Sequence, residues 1–94
     1  MVCKETLFSD HAINQMFKRD ISVDDVKIVI EAGEIITSYL YDKPYPSYLI
    51  LFTIKNRPIH VVVAKEDMAD KCIVVTTYEP DISIWNADFK SKKQ

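Results

Sequence analysis

Two runs of β-branched and apolar residues, 59–64 and 72–77, dominate the second half of the chain, and the polar residues 66–71 separate them. Val and Ile side chains fit a pleated, buried surface, so each run predicts a strand and the pair predicts a hairpin. Apolar residues occupy consecutive positions rather than alternating ones, which indicates that both faces of these strands are covered. We therefore expect this hairpin in the middle of a sheet.

Two segments before the hairpin have helical periodicity, and each begins with a serine that can cap a helix. Ser9 precedes a segment that continues to about residue 18, and Ser22 precedes one that ends at the glycine stop, Gly33. The link at residues 20–21 is so short that the helices are expected to be neighbours. The expected buried positions are Ala12, Ile13, Met16 and Phe17 in the first helix, and Val23, Val26, Val29 and Ile30 in the second.

The region between the helices and the hairpin has a strand-like pattern. Residues 34–40 and 47–54 predict two strands, and the two prolines within residues 41–46 place a loop between them. Residues 55–58 form a tight turn into the hairpin. The pattern predicts one α+β domain over residues 1–94, in which two N-terminal helices pack on a four-stranded antiparallel meander followed by a short C-terminal segment.

The open end of the hairpin carries the first candidate chemistry, because His60 begins one strand and Tyr78 follows the other. If residues 56–57 form a two-residue loop, Thr53 lies opposite His60. If residues 67–70 form the other loop, Thr77 lies opposite His60, and a shift of one residue brings Tyr78 there instead. A slip of one residue reverses the face of every side chain, so the register stays open at this point.

Composition narrows the classes of function. The formal net charge of -2 gives no global basic field for nucleic acid, so any nucleic-acid role has to rest on a local patch. Cys3 and Cys72 lack metal-ligand spacing, so we expect two reduced thiols and no metal. Reduced thiols are typical of cytoplasmic proteins, and we expect that location and no cofactor. No apolar run approaches the length of about 18 residues that a membrane span needs.

Each candidate residue has a functional and a structural interpretation. His60 is either a general acid or base or a histidine satisfied by a neighbouring element. His11 and Arg19 share a helix face, which either binds phosphate or is a solvated surface. Tyr78 either donates a proton or borders the core, while Arg57 and Lys65 are candidates for binding RNA phosphate.

Aromatic residues leave a similar choice. Trp85 and Phe89 either close the core or stack on bases. A cluster around the proline loop forms either an exposed patch for a partner or a cover for the sheet edge. The cluster consists of Tyr39, Tyr41, Tyr45 and Tyr48.

Several short motifs occur together over residues 7–90: His-Ala and Arg in the first helix, Gly-Glu after the second, Tyr-Pro-Ser in the loop, Arg-Pro-x-His, and Tyr-x-Pro followed by Trp. In this combination the chain resembles a bacterial family of domains of unknown function, grouped with the RelE/BrnT-like toxin superfamily. Members of that family are often encoded beside a YgiT/MqsA-type zinc-finger antitoxin. The matching positions are His11, Ala12, Arg19, Gly33, Glu34, Arg57, Pro58, His60, Tyr78, Pro80 and Trp85.

The resemblance implies a RelE-like fold, metal-independent cleavage of mRNA and a cognate antitoxin as partner. In that interpretation His60, Tyr78, Arg19 and His11 are catalytic. Two positions depart from the pattern, since Gln15 replaces a usual arginine and Asp20 replaces a usual glycine. Both changes reduce the positive charge near Arg19. The residues therefore leave two hypotheses open: a toxin-type endoribonuclease, and a non-catalytic protein-binding module on the same fold.

Overall fold

A computed structural model describes all residues, Met1–Gln94, as two helices and one five-stranded sheet, which confirms the α+β class. The strands lie in the order β1-β5-β4-β3-β2, so that β4 is central, as the continuous apolar pattern of the hairpin predicts. The elements are β1 (Glu5–Phe8), α1 (Asp10–Arg19), α2 (Val23–Ala32), β2 (Glu34–Tyr39), β3 (Ser47–Ile54), β4 (Arg57–Glu66) and β5 (Lys71–Tyr78).

The sheet has one strand more than the sequence pattern predicts. The four expected strands form the antiparallel meander β2 to β5, but β1 adds a fifth strand and pairs with β5 in parallel. The predicted four-stranded antiparallel meander is therefore confirmed only in part, because β1 makes the sheet five-stranded and mixed. A strand of four residues is too short to establish a periodicity, and its partner begins at Lys71, far along the chain.

Both predicted helix caps are present. The Ser9 hydroxyl accepts a hydrogen bond from the Ala12 amide, and Ser22 forms a reciprocal capping box with Asp25. Asp20 ends α1 in the left-handed conformation, with φ of 53°. The turn between the helices therefore places an acidic residue where glycine has the lower conformational cost.

The helices cover one face of the sheet, with α1 on β5 and α2 on β3 and β4. Ala12 and Met16 point into this core, whereas Ile13 and Phe17 are exposed, Phe17 at 90%. A step of one residue turns a helix by about 100°, which carries these two side chains away from the sheet. The expectation that they and Val23 are buried is therefore wrong, while Val26, Val29 and Ile30 are buried as predicted.

The C-terminal segment, residues 79–94, folds against the opposite face of the sheet. It doubles back on itself, because Trp85 bridges to Lys92 and the Lys93 amide donates to the Ile84 carbonyl at 2.8 Å. The Trp85 side chain is buried. No helix in the structure has both the length and the apolarity to cross a membrane.

A disulfide joins Cys3 to Cys72, with Cα atoms 5.6 Å apart. The expectation of two reduced thiols is therefore wrong. The parallel pairing of β1 with β5 explains the bond, because it brings the segment before β1 beside the start of β5. Since the extra strand was not apparent in the sequence, neither was this proximity.

Candidate functional site

The turn between β3 and β4 sets the first part of the register. Its loop consists of Lys55 and Asn56, both with positive φ (50° and 66°), as a two-residue hairpin loop of the primed type requires. Leu51 therefore lies opposite His60. The alternative that placed Thr53 there is wrong, because the loop starts one residue earlier than that alternative assumed.

A β-bulge sets the second part of the register. Glu66 pairs with Lys71 across the 67–70 loop, as one of the alternatives predicts, yet Tyr78 rather than Thr77 lies opposite His60. The pairing shifts between Val62 and Val63, which leaves Val75 without a partner on β4. The extra residue, Val75, shifts the pairing by one position. The 67–70 loop of the first alternative therefore occurs together with the His60–Tyr78 pairing of the second.

His60 lies at the centre of a buried polar and aromatic cluster. Its exposed fraction is 0%, and its neighbours Ile59 and Val61 belong to the core beneath the helices. Because side chains alternate along a strand, the imidazole lies on the other face, beneath the C-terminal segment. The Trp85 ring meets it edge-on, with centroids 4.5 Å apart.

Both imidazole nitrogens have hydrogen-bond partners. Nε2 lies 2.8 Å from the Phe89 carbonyl oxygen, and Nδ1 lies 3.2 Å from the Tyr78 hydroxyl. A carbonyl only accepts hydrogen bonds, so Nε2 carries the proton and Nδ1 accepts from the Tyr78 hydroxyl. The contacts thus select one neutral tautomer and form a chain from the Tyr78 hydroxyl through the imidazole to the Phe89 carbonyl.

Burial keeps both members of this pair neutral. It lowers the pKa of His60, an effect that the hydrogen bond to Phe89 partly offsets. Burial also raises the pKa of Tyr78, and the nearby Tyr39 adds to the increase. A neutral imidazole is the form that can accept a proton, but Tyr78 occupies its Nδ1 and the C-terminal segment occupies its Nε2.

Arg57, on β4, binds the carbonyl groups at the C-terminal end of α1. Its Nη1 donates to the Asp20 carbonyl at 2.7 Å, its Nη2 donates to the Arg19 carbonyl, and its Nε contacts Glu79 at 3.0 Å. Carbonyls at the end of a helix lack partners within the helix, and a guanidinium can satisfy two of them at once. The candidate phosphate ligand is therefore already engaged with the protein.

The structure does not bring His11 and Arg19 to the His60–Tyr78 pair. Both side chains are exposed on α1, in the helix layer, whereas the imidazole lies on the far face of the sheet. Arg19 Nε donates to Gln15 at 3.0 Å, along the polar helix face that the sequence indicates. The sheet separates the two sets of candidate residues.

Lys65 lies at the other end of the hairpin. Five residues of extended strand separate it from His60, which corresponds to about 17 Å. Its ammonium group contacts the Asp70 carboxylate and the Val2 carbonyl. Lys65 therefore anchors the N-terminal segment and does not share a site with the imidazole.

One edge of the sheet, formed by β2, is exposed, and the sequence indicates this surface only in part. Tyr41 is 93% exposed, Tyr39 and Leu40 are also exposed, and Tyr45 and Tyr48 are half-buried. Within β2, no backbone hydrogen bond joins residues 34–38 to anything beyond β3. The tyrosine cluster gave a signal for this surface, but nothing in the sequence showed that β2 is an edge strand.

The fold and the site together define a small α+β protein with a buried His–Tyr pair and one open sheet edge. The model of the family described as Domain of unknown function (DUF4258) matches residues 8–79, and the chain belongs to this family. No curated protein and no solved structure matches the chain. The match supports the expected domain of unknown function. It gives no support for membership of the RelE/BrnT-like superfamily or for pairing with an antitoxin.

Proposed function

We propose that this protein is a binding module that captures an extended segment of a partner protein at the outer edge of β2. The observation that carries the proposal is the stretch from Ile35 to Tyr41, which contains no charge, no proline and no glycine. Its outer backbone groups between residues 34 and 38 are unpaired. Such groups are a template for an added strand.

The two edges of the sheet differ in how they are protected. β1 has only four residues, is flanked by Lys4 and includes Glu5. β2 has six residues, and its one acidic side chain, Glu34, pairs with Lys90 at 3.1 Å. Proteins usually protect edges with charge, proline or bulges, and beyond the Glu34–Lys90 pair at its first residue β2 has only the bulge between Ile35 and Thr37. An edge of this kind fits a surface that a partner covers.

The side chains beside β2 indicate what kind of segment fits. A cleft of about 330 Å³ lies at the end of the strand, lined by residues 38–42 with Tyr39, Leu40 and Tyr41 among them. Strand addition derives affinity from backbone hydrogen bonds and specificity from pockets for alternate side chains. The partner segment is therefore extended and uncharged, with an apolar or aromatic side chain for this cleft.

A charge placed on the edge tests the proposal. Ile35→Lys adds an ammonium group to β2, and Met68→Lys makes the same change at a fully exposed position in the β4–β5 loop. We expect Ile35→Lys to weaken capture of the partner from an extract of the source cells by about tenfold, and Met68→Lys to leave it unchanged. In the wild-type complex, amide hydrogen exchange should slow at residues 34–39. Equal capture by both variants, or protection elsewhere, contradicts the proposal.

A second candidate is the metal-independent endoribonuclease of a type II toxin-antitoxin system, with a RelE-like fold, a cytoplasmic location and a cognate antitoxin. The His60–Tyr78 hydrogen bond favours it, because a neutral imidazole next to a phenol is a pair able to transfer protons. In this candidate the C-terminal segment moves first and releases His60 Nε2 from the Phe89 carbonyl. RNA then reaches the imidazole from the side that Trp85 covers.

Expression in bacteria separates the two candidates. Because His60 is fully buried, Tyr78→Phe is the milder test, and Tyr41→Phe is the matched control at an exposed tyrosine. The endoribonuclease predicts slower growth and fragmented mRNA with the wild type and with Tyr41→Phe, and relief with Tyr78→Phe. Normal growth with intact mRNA in the wild type eliminates this candidate and leaves the binding module.

A further inference from the structure

The two sulfur atoms of the disulfide lie in different surroundings. Cys72 is 0% exposed and belongs to the hydrophobic core, whereas Cys3 is half-buried and packs at its margin. Cys3 also lines an open cleft of about 410 Å³ between the N-terminal segment and α2. Cys3 is therefore the cysteine of the pair that borders the solvent.

The charge around this cleft is opposite in sign to that of the whole chain. Lys4 and Lys27 line the cleft together with a single acidic residue, Glu31. The terminal ammonium group of Met1 lies at the same place and donates to the Ile30 carbonyl at 2.8 Å. Because positive groups outnumber the one carboxylate, the cleft is a local cationic region that attracts small anions, on a chain whose net charge is -2.

We propose that Cys3 is a thiol-exchange site for low-molecular-weight thiols that carry carboxylates. The thiolate of such a molecule attacks Cys3 Sγ, and the bond between the two cysteines breaks. Its electron pair goes to Cys72 Sγ, and the proton that the small thiol lost on ionisation is taken up there as the released N-terminal segment moves away. The products are a mixed disulfide on Cys3 and a thiol on Cys72, so the number of disulfides is conserved and no further oxidant is needed.

The burial of Cys72 makes the exchange one-sided. A thiol from solution meets Cys3 and not Cys72, so the small thiol is added to Cys3 and the new free thiol is left on Cys72. Acid quenching traps the mixed disulfide before Cys72 displaces the small thiol, because a protonated thiol does not attack a disulfide. After exchange the N-terminal segment keeps only non-covalent anchors, among them the hydrogen bond from the Lys4 amide to the Asp70 carbonyl at 2.9 Å.

The experiment compares two small thiols of opposite charge. The protein, purified without reductant, is treated with glutathione or with cysteamine, quenched in acid, alkylated under denaturing conditions and digested with trypsin. Cleavage after Lys4 and Lys71 puts the two cysteines on separate peptides. We expect the glutathione adduct on Cys3 and the alkyl group on Cys72, with a rate for glutathione about fivefold above that for cysteamine after correction for their rates with a model disulfide.

Charge variants test the role of the cleft. Lys27→Gln should remove most of the preference for glutathione, whereas Lys55→Gln, at an exposed lysine in the β3–β4 turn, should keep it. An adduct on Cys72, equal corrected rates for the two thiols, or free thiols at both cysteines in the untreated protein overturns the proposal.

Discussion

Reduction of the Cys3–Cys72 disulfide should lower the free energy of unfolding by about 4.4 kcal/mol at 25 °C. The bond joins residues 69 positions apart and so restricts most of the unfolded chain. In the chain-entropy model a closed loop of this length removes about 15 cal/mol/K from the unfolded state, which gives that value. A domain of this size has a total stability of only about 5–14 kcal/mol, so the disulfide accounts for a large share of it.

Urea denaturation of the same chain with and without a phosphine reductant measures the difference. With a slope of about 1–2 kcal/mol per molar urea, the midpoint should fall by about 2–4 M on reduction. Cys3→Ser is the matched control, because it should show the lower midpoint and no response to the reductant. Cys72→Ser should be less stable still, since it places a hydroxyl at a position with 0% exposure.

Agreement of the oxidised and reduced proteins to within about 1 kcal/mol would refute this reasoning. It would mean that the unfolded chain is already compact enough for the bond to restrict little, which the entropy model excludes.

Three further changes have definite expected outcomes. Arg57→Met should destabilise the fold by about 1.5–3 kcal/mol, because two helix-terminal carbonyls lose their donor; Arg19→Met, at an exposed side chain, should change the urea midpoint little. Stability in urea should fall as the pH drops below 6.5. The unfolded chain binds a proton at His60 there, whereas the lowered pKa of His60 keeps the folded protein from doing so until the pH is lower. A flat profile between pH 7 and 5 would contradict this. Gly33→Ala should cost about 1–3 kcal/mol, because the new Cβ lies 2.6 Å from Ile50 Cγ2, and an unchanged thermal midpoint would show that the sheet can shift to admit it.

Local signals in the sequence were sufficient for elements that local chemistry determines. The Ser9 and Ser22 caps, the two helices and four of the strands follow from hydrogen-bonding side chains and from periodicity, both of which act over a few residues. β1 and the disulfide depend on a partner about 66 residues away along the chain, since Glu5 pairs with Lys71. No periodicity within four residues reports such a pairing.

The candidate site shows the same division. The closeness of His60 and Tyr78 could be predicted, because they lie at neighbouring ends of one hairpin. Their burial could not, because it depends on Trp85 and on the backbone of Phe89, in a segment whose sequence has no regular pattern. A carbonyl contact is also independent of side-chain identity, so the sequence carries no signal for the group that occupies His60 Nε2.

The parallel pairing of β1 with β5 affects the order in which the chain can fold during synthesis. β1 is made first, but its partner β5 is the last strand to be made. α1 also packs on β5, so it lacks this contact until β5 is complete. By contrast, the contacts of α2 with β3 and β4 do not require β5. A nascent chain that stops before Lys71 therefore exposes Ala12 and Met16, so the N-terminal part of this protein is the part that most needs protection by a chaperone.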